Sequence, residues 1–309
     1  MPSPRSQTFR LRDIQFRIEY LLLRAIIGIV RAFPLDTGVR ISAGAWRFLV
    51  PYIFTKRHKR ALENLRIAFP EFTEKRRLEI ALAHWANLGR VMAETMQLDR
   101  IIANPERIKI ENAKMFSRYR GKLGPAIGIT LHMGNWELAV WPMTEMGTKP
   151  AAVYRSVNNP YVDQYLRDQR KDLYPSGLFG RGKVEGNHGD SQKTARLIND
   201  FVRRGGHLGL VCDLYDRTGI PVPFFGREAR TQAIGAMIAR RVGARIWLSR
   251  CVRIGTESRF TVEVKELRIP RTDNISDDVR TVMHGMQKQF EEWIREKPEQ
   301  WMWSNRRWS

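Results

Sequence analysis

A histidine and a glutamate stand five positions apart in the stretch His132-Met-Gly-Asn-Trp-Glu137. A neutral imidazole can take the proton from an alcohol that attacks a thioester carbonyl, and a carboxylate can fix its tautomer and stabilise the imidazolium that forms. On one continuous helix the two side chains would point to different sides, at about 100° per residue. Across a tight turn containing Gly134 they can converge. The pair is therefore a candidate for activating a hydroxyl, with His132 as general base and Glu137 orienting it.

The flanking sequence predicts a junction between a strand and a helix at this point. Residues 126–131 form a short apolar run with β-branched members, which indicates a buried strand. Residues 137–141 predict the first turn of a helix with Asn135 as its N-cap, and the free N–H groups there favour developing negative charge. A second interpretation stays open, in which His132 ends a strand and Glu137 is an exposed helix residue.

Helices and strands alternate along the rest of the chain. Apolar residues recur at helical spacing between Thr73 and Leu98, which predicts a long helix. Further helices are predicted at 160–173, 192–203, 232–242 and 277–296, and further strands at 151–154, 178–179, 207–212, 245–252 and 260–267. This alternation predicts the α/β class: an αβα sandwich around a mainly parallel sheet, whose last two strands can form an antiparallel hairpin.

Three polar residues each follow a predicted strand, namely His132, Arg155 and Asp213. Ligand sites of such sheets lie at the carboxyl ends of strands, so the three can gather at one edge. Arg155 can hold a phosphate or polarise an acyl carbonyl, unless it is a structural ion pair or an exposed strand end. Asp213 can orient Arg155 or the incoming hydroxyl, or it can cap the following turn.

The chain is strongly basic, with 53 Lys and Arg, 32 Asp and Glu, and a formal net charge of +21. Such an excess favours phosphates on nucleic acid or anionic lipid, or an acidic carrier protein. The two cysteines, Cys212 and Cys251, do not form a close-spaced motif, and the six histidines are scattered. Neither a disulfide framework nor a metal site is therefore expected.

Two apolar segments lie in the basic N-terminal region. The run 20–30 contains Arg24 and is followed by Arg31, and it is shorter than the roughly twenty apolar residues of a spanning helix. With the segment 41–54 it predicts interfacial helices, or a marginal anchor with snorkelling arginines, although two ordinary amphipathic helices packed on the domain would give a similar pattern. No cleavable signal peptide is evident, and the flanking basic residues predict a cytoplasmic location for the bulk of the protein. The simplest partition is a membrane-associating helical region at 1–60 and a catalytic domain at 61–309.

Four blocks in order resemble those of the bacterial lipid A biosynthesis acyltransferases, and they cover most of the chain from about residue 55. The first block, 132–137, is similar to H-F/M-G-N-W-E, and the second, 153–160, to V-Y-R-x-x-N-N-P. The third, 220–226, is similar to V-x-V-P-F-F-G, and the fourth, 298–308, to P-E-Q-W-x-W-x-x-R-R-W. One departure is visible, because Leu214 follows Asp213 where the family usually has Gln.

The resemblance implies a fatty acyl transfer from an acyl carrier protein thioester to a hydroxyl of a lipid A precursor, at the cytoplasmic face of the inner membrane. It implies four site residues, His132, Glu137, Arg155 and Asp213, and neither a cofactor nor a metal. The implied partners are the acyl carrier protein, the lipid A precursor and anionic inner-membrane lipids. The apolar segment 221–226 can line the acyl-chain slot, or it can be a buried loop that packs on the core.

Other functions stay open on the sequence. An acyltransferase for another glycolipid, such as a mannosylated phosphatidylinositol, shares the same chemistry. A thioesterase would use water in place of the acceptor. A nucleic-acid-binding protein would also explain the charge, but the aromatic residues are not interleaved with the basic ones and no binding motif is present, so no nucleic acid is expected.

Overall fold

The computed structural model describes residues 4–112, 124–181, 183–184, 187–188 and 191–308. The helices are α1 (Pro4–Ala32), α2 (Leu35–Ile53), α3 (Thr55–Ala68), α4 (Glu74–Thr95), α5 (Leu98–Ile102), α6 (Trp141–Glu145), α7 (Pro160–Arg170), α8 (Ser191–Arg203), α9 (Ile234–Val242) and α10 (Ile275–Glu296). Short 3-10 helices span Pro105–Arg107, Trp136–Val140 and Pro298–Gln300. The strands are β1 (Ile108–Ile110), β2 (Ala126–Gly134), β3 (Pro150–Arg155), β4 (Leu178–Arg181), β5 (Lys183–Val184), β6 (Asn187–His188), β7 (His207–Val211), β8 (Tyr215–Phe224), β9 (Arg227–Thr231), β10 (Arg245–Arg253) and β11 (Phe260–Leu267).

Seven of the described strands form one sheet in the order β1-β11-β10-β2-β7-β3-β4. Neighbours are parallel except β10 and β11, which are antiparallel. The mainly parallel sheet and the final hairpin are therefore confirmed. Strands β8 and β9 form a separate hairpin, which the sequence did not predict, and β5 pairs with β6.

Successive side chains of β2 point to opposite faces of the sheet. One face packs against the main core, and the other faces a cavity, so we call it the hollow face. Residues 127, 129, 131 and 133 are apolar and point into a core shared with α3, α4, α8, α9 and α10. Gly128, Thr130 and His132 point to the opposite face, where a cavity separates the sheet from the 3-10 helix 136–140 and α6. A smaller core closes this second side and includes Leu138, Met143 and Trp247. The strand thus carries core-forming and site-forming residues in alternation.

The two N-terminal helices lie against the rest of the chain through specific polar contacts. Asn159, just before α7, donates to the main-chain oxygen of Phe16 and to Glu19 in α1. In α2, Ser42 donates to the Gly89 carbonyl of α4. A side chain at Gly89 would collide with Trp46, since its Cβ would lie 2.8 Å from that residue, so this glycine permits the close approach of the two helices.

Both helices also present exposed apolar side chains, which on α1 recur at helical spacing along one face. These are Leu11, Ile14, Ile18, Leu21, Leu22, Ile26 and Ile29 on α1, and Ile41, Phe48, Leu49, Tyr52 and Ile53 on α2. We call these twelve residues the N-terminal apolar surface. Among the helices that the structure describes, none has the length and apolarity needed to cross a membrane.

Candidate active site

A cavity of about 730 Å³ opens at the carboxyl end of β2, on the hollow face of the sheet. It is lined by β2, β3, β7 and β10 below and by the 3-10 helix 136–140, α6 and α7 above. Three of the four predicted site residues, His132, Glu137 and Arg155, line this cavity. The fourth, Asp213, is completely buried and lies directly behind His132. The structure therefore brings His132, Arg155 and Asp213 to one edge of the sheet, as predicted, and Glu137 lines the same cavity.

Asp213 holds His132 through two separate hydrogen bonds. Its Oδ1 lies 2.7 Å from Nδ1 of the His132 ring, and its Oδ2 accepts from the main-chain N–H of His132 at 2.9 Å. The indole N–H of Trp301 donates to the same Oδ2 at 2.7 Å. Burial by itself would raise the pKa of Asp213, but the His132 charge and these hydrogen bonds outweigh burial, so the pKa lies below its usual value.

The ionised Asp213 fixes the state of the histidine ring. A carboxylate only accepts hydrogen bonds, so the proton of neutral His132 resides on Nδ1. The Nε2 atom is then the ring nitrogen that can accept a proton from a substrate. The His132 ring also packs edge-on against Trp136, with ring centroids 5.1 Å apart. His132 is thereby fixed in tautomer and in orientation, as general-base catalysis requires.

The prediction that Glu137 orients His132 was wrong, because Asp213 occupies Nδ1. Glu137 instead binds Arg170 of α7 with both oxygens, at 2.7 and 2.5 Å. Burial would raise the pKa of Glu137, but the Arg170 charge and hydrogen bonds, with a contribution from His132, bring it below its usual value. Glu137 thus adds a fixed negative charge beside the histidine without binding it.

The turn between His132 and Glu137 explains this change of role. Gly134 has a φ of 57°, and a Cβ at this position would lie 1.7 Å from the carbonyl oxygen of Cys251. The following residues form a five-residue 3-10 helix, and Asn135 makes no side-chain cap at its start. Asn135 occupies the predicted N-cap position, but its side chain does not cap this helix, and its amide donates to buried Glu94 instead. Glu94 in turn forms a buried ion pair with Arg253, which anchors the turn to α4 and β10.

Arg155 lies at the end of β3 with an exposed side chain on the rim of the cavity. Within the described part of the chain it takes part in no salt bridge, and Asp213 binds His132 and Trp301 rather than Arg155. Arg217 of β8 is a second exposed arginine that lines the cavity. The guanidinium of exposed Arg306 lies 4.2 Å from the ring centroid of Tyr215, another lining residue. We call Arg155, Arg217 and Arg306 the rim arginines.

Several of these partners were not predicted from the sequence. Trp301 stood within a recognised block, but nothing in the sequence pointed to its contact with Asp213. Arg170 was one charged residue of a predicted helix and gave no signal of its own. The segment 221–226 lies in the hairpin β8–β9, where Val222, Phe224 and Phe225 are buried in the main core. It does not line the cavity, so the second interpretation, packing on the core, is the correct one.

The departure at residue 214 falls at the site itself, because Leu214 lines the same cavity as His132. The side chain at this position is therefore apolar, and it cannot make the polar contact that a glutamine could make. Among the residues that the structure describes, no group of three or more His, Cys, Asp or Glu side chains is arranged to hold a metal ion. The chemistry available here is that of a positioned base, two buried carboxylates and exposed arginines.

Comparison with known proteins gives one family match over nearly the whole chain and several relatives of low sequence identity. The family model described as "Bacterial lipid A biosynthesis acyltransferase" matches residues 10–309. Two relatives are from Escherichia coli (strain K12). The lipid A biosynthesis myristoyltransferase is 26% identical over 79% of this chain and 73% of its own length. The lipid A biosynthesis lauroyltransferase is 26% identical over 91% of this chain and 88% of its own length. A third is the phosphatidylinositol mannoside acyltransferase of Mycobacterium tuberculosis (strain ATCC 25618 / H37Rv), 24% identical over 96% of this chain and 89% of its own length.

Proposed function

The chain belongs to the bacterial lipid A biosynthesis acyltransferase family, and from this premise we propose that it transfers a fatty acyl group from an acyl carrier protein thioester to a hydroxyl of a lipid A precursor. The observation that carries the proposal is the His132–Asp213 pair at the mouth of a cavity of about 730 Å³ that is large enough for an acyl chain. This pair supplies the base, and the cavity accepts the group to be transferred.

The reaction follows from the arrangement of His132. Its Nε2 takes the proton of the acceptor hydroxyl while that oxygen attacks the thioester carbonyl, and Asp213 stabilises the imidazolium that forms. The tetrahedral intermediate then collapses, the carbon–sulfur bond breaks, and the imidazolium returns its proton to the thiolate that leaves. The ester and the free thiol are the products. The thioester supplies the driving force, so the scheme requires neither a metal nor a nucleotide.

Glu137 and the rim arginines act through charge. The pairing of Glu137 with Arg170 keeps this buried carboxylate ionised, so it stands as a negative charge near the imidazolium that forms during the reaction. Arg155 is placed to stabilise the oxyanion or a phosphate, and Arg217 and Arg306 extend the same positive rim. Phosphates are present both on the carrier's prosthetic arm and on a phosphorylated sugar lipid, and guanidinium groups suit either one.

We assign the N-terminal apolar surface to the membrane interface, at the cytoplasmic face of the inner membrane. Two observations support this. Apolar side chains cover one exposed side of α1 and α2, with Tyr52 82% exposed. Directly after α2, the exposed basic residues Lys56, Arg57, Lys59 and Arg60 are placed to meet anionic headgroups. Trp136 links this region to the site, because it packs against the small core that contains Val50 of α2 and also lines the cavity.

Another glycolipid acceptor has one specific observation in its favour. The phosphatidylinositol mannoside acyltransferase aligns over 96% of this chain, so the shared fold can serve a mannosylated lipid as well. We favour lipid A because the two other relatives named above act in lipid A biosynthesis.

The test is an acyl-transfer assay with purified enzyme in mixed micelles. Lauroyl and myristoyl thioesters of acyl carrier protein and of coenzyme A serve as donors, and a tetra-acylated lipid A precursor, a phosphatidylinositol mannoside or no lipid as acceptors. We expect a lipid mass increase of one acyl group with the carrier thioester and the lipid A precursor. A mass increase on the mannoside alone would replace the acceptor, and thiol release that is independent of any lipid would favour a thioesterase.

A further inference from the structure

The cavity extends from His132 along the hollow face of the sheet, and a row of paired residues lies beneath it. Trp247 of β10 pairs with Gly128 of β2, Gly128 pairs with Gly209 of β7, and Gly209 pairs with Ala152 of β3. All four line the cavity. Since the two central members have no side chain, the sheet carries a trough at this level, bounded by the Trp247 indole on one side.

Two side chains form the roof of this trough. A Cβ added to Gly128 would lie 3.1 Å from the terminal methyl carbon of Met143 and 3.7 Å from its sulfur. A Cβ added to Gly209 would lie 3.5 Å from Cε1 of Tyr174. Met143, which belongs to α6, is buried. The terminal atoms of the Met143 side chain thus lie directly over Gly128. They close the part of the trough that is furthest from His132 along β2.

The distance between base and roof corresponds to an acyl chain of definite length. Gly128 lies four residues before His132 on β2, which is about 13 Å along a strand. An extended chain advances about 1.2 Å per bond, so about eleven bonds fit between the two levels. A thioester carbonyl at His132 would therefore place the terminal methyl group of a chain of about twelve carbons against Met143.

We propose that Met143, closing the trough formed by Gly128 and Gly209, sets the length of the acyl chain that this enzyme transfers. The inference rests on the proposed function, since it concerns the donor that the same cavity accepts. A longer chain must displace the Met143 side chain or bend, and a shorter chain leaves the end of the trough unfilled. A single methylene in such a pocket discriminates by about 10–200-fold.

Two substitutions move the end of the trough in opposite directions. Met143→Ala removes the three side-chain atoms beyond Cβ and lengthens the trough, so myristoyl should become preferred over lauroyl by about tenfold or more relative to the wild type. Gly209→Ala adds one methyl group where its neighbours lie 3.5 to 3.6 Å away, an ordinary contact distance that the fold accepts. It should shift the preference toward decanoyl. Met286→Ala is the matched control, because this methionine is buried in the core on the opposite face of the sheet.

The experiment has two readouts on the full-length enzyme and its three variants. The first is calorimetric binding of free saturated fatty acids from decanoate to stearate. The second is transfer from an equimolar mixture of carrier thioesters of the same lengths, analysed by product mass. We expect optima near laurate and lauroyl for the wild type and for Met286→Ala, longer optima for Met143→Ala and shorter ones for Gly209→Ala.

The outcomes separate this inference from the proposed function. Unchanged length profiles in Met143→Ala and Gly209→Ala, or an equal shift in Met286→Ala, would overturn the role of Met143. A length optimum in binding that moves with Met143→Ala, in an enzyme that transfers no acyl group to any acceptor, would support the trough and refute the proposed function.

Discussion

At the level of single residues, the attachment of His132 to Asp213 through both ring and main chain decides which nitrogen can act as a base. The sequence identified both residues, but it assigned the orienting role to Glu137 because the two lie close along the chain. The actual partner is 81 positions away in sequence. Such a contact depends on which strands are neighbours, and a local motif carries no information about that.

Asp213→Asn should reduce kcat by about three to four orders of magnitude, because an amide can hold the wrong tautomer of His132 and cannot stabilise the imidazolium. Glu137→Gln is the comparison, since Glu137 does not bind the ring, and it should retain much more activity than Asp213→Asn. Steady-state kinetics with a carrier thioester measures both. If Glu137→Gln were the more damaging of two folded variants, the role assigned to Asp213 would have to pass to Glu137.

At the level of elements, the order of the sheet creates the site. Strand β7 lies beside β2, and Asp213 follows β7 by two residues, so it reaches the end of β2. Six of the seven described strands of this sheet were predicted from apolar runs bounded by polar residues, and β1, of three residues, was missed. The order of the strands was not predictable, because it depends on long-range packing. The β8–β9 hairpin was missed since Pro221 and Pro223 lie within β8. Proline is tolerated on edge strands, and both strands of a two-stranded hairpin are edges.

The backbone of the turn at Gly134 is tightly constrained. Gly134→Ala combines a positive φ with a collision at the Cys251 carbonyl, and we expect a large loss of thermal stability together with activity. Gly147→Ala is the matched control, because Gly147 also has a positive φ, of 78°, but open space around its Cα. It should cost only about 1–3 kcal/mol. Equal unfolding temperatures for the two variants would show that the contact with β10 does not constrain the turn.

At the level of the whole molecule, buried groups make stability depend on pH. His84 lies in α4 and is almost completely buried, and its Nε2 has no hydrogen-bond partner among the described residues. Burial lowers its pKa from 6.5 to about 3. Above pH 6.5 the imidazole is neutral in both the folded and the unfolded protein, and its contribution to stability is complete. Below pH 6.5 the unfolded chain binds a proton that the folded protein excludes, so stability falls toward pH 3.

This contribution should amount to about 1.4 kcal/mol per pH unit below pH 6.5. His84→Gln removes the titrating group, so its free energy of unfolding should fall less steeply between neutral and mildly acidic pH than that of the wild type. Urea unfolding at a series of pH values measures both slopes. Parallel curves for the two proteins would mean that His84 is protonated in the folded state.

The N-terminal apolar surface predicts that the enzyme binds phospholipid membranes through α1 and α2. Leu21→Glu places a charge in the middle of the α1 stripe, and it should weaken binding to anionic phospholipid vesicles by roughly tenfold or more. Leu197→Glu makes the same change on α8, where the leucine is also exposed, and it should leave vesicle binding nearly unchanged. Sedimentation with vesicles measures both. Equal loss in the two variants would point to net charge, rather than this surface, as the source of binding.

The most direct test of the mechanism compares wild-type enzyme with His132→Ala in the acyl-transfer assay, with lipid product mass and circular dichroism recorded on the same preparations. We expect the wild type to add one acyl group to the lipid A precursor and the variant, with an unchanged spectrum, to lose activity by several orders of magnitude. A folded His132→Ala variant that acylates the precursor at the wild-type rate would contradict the assignment of His132 as the base.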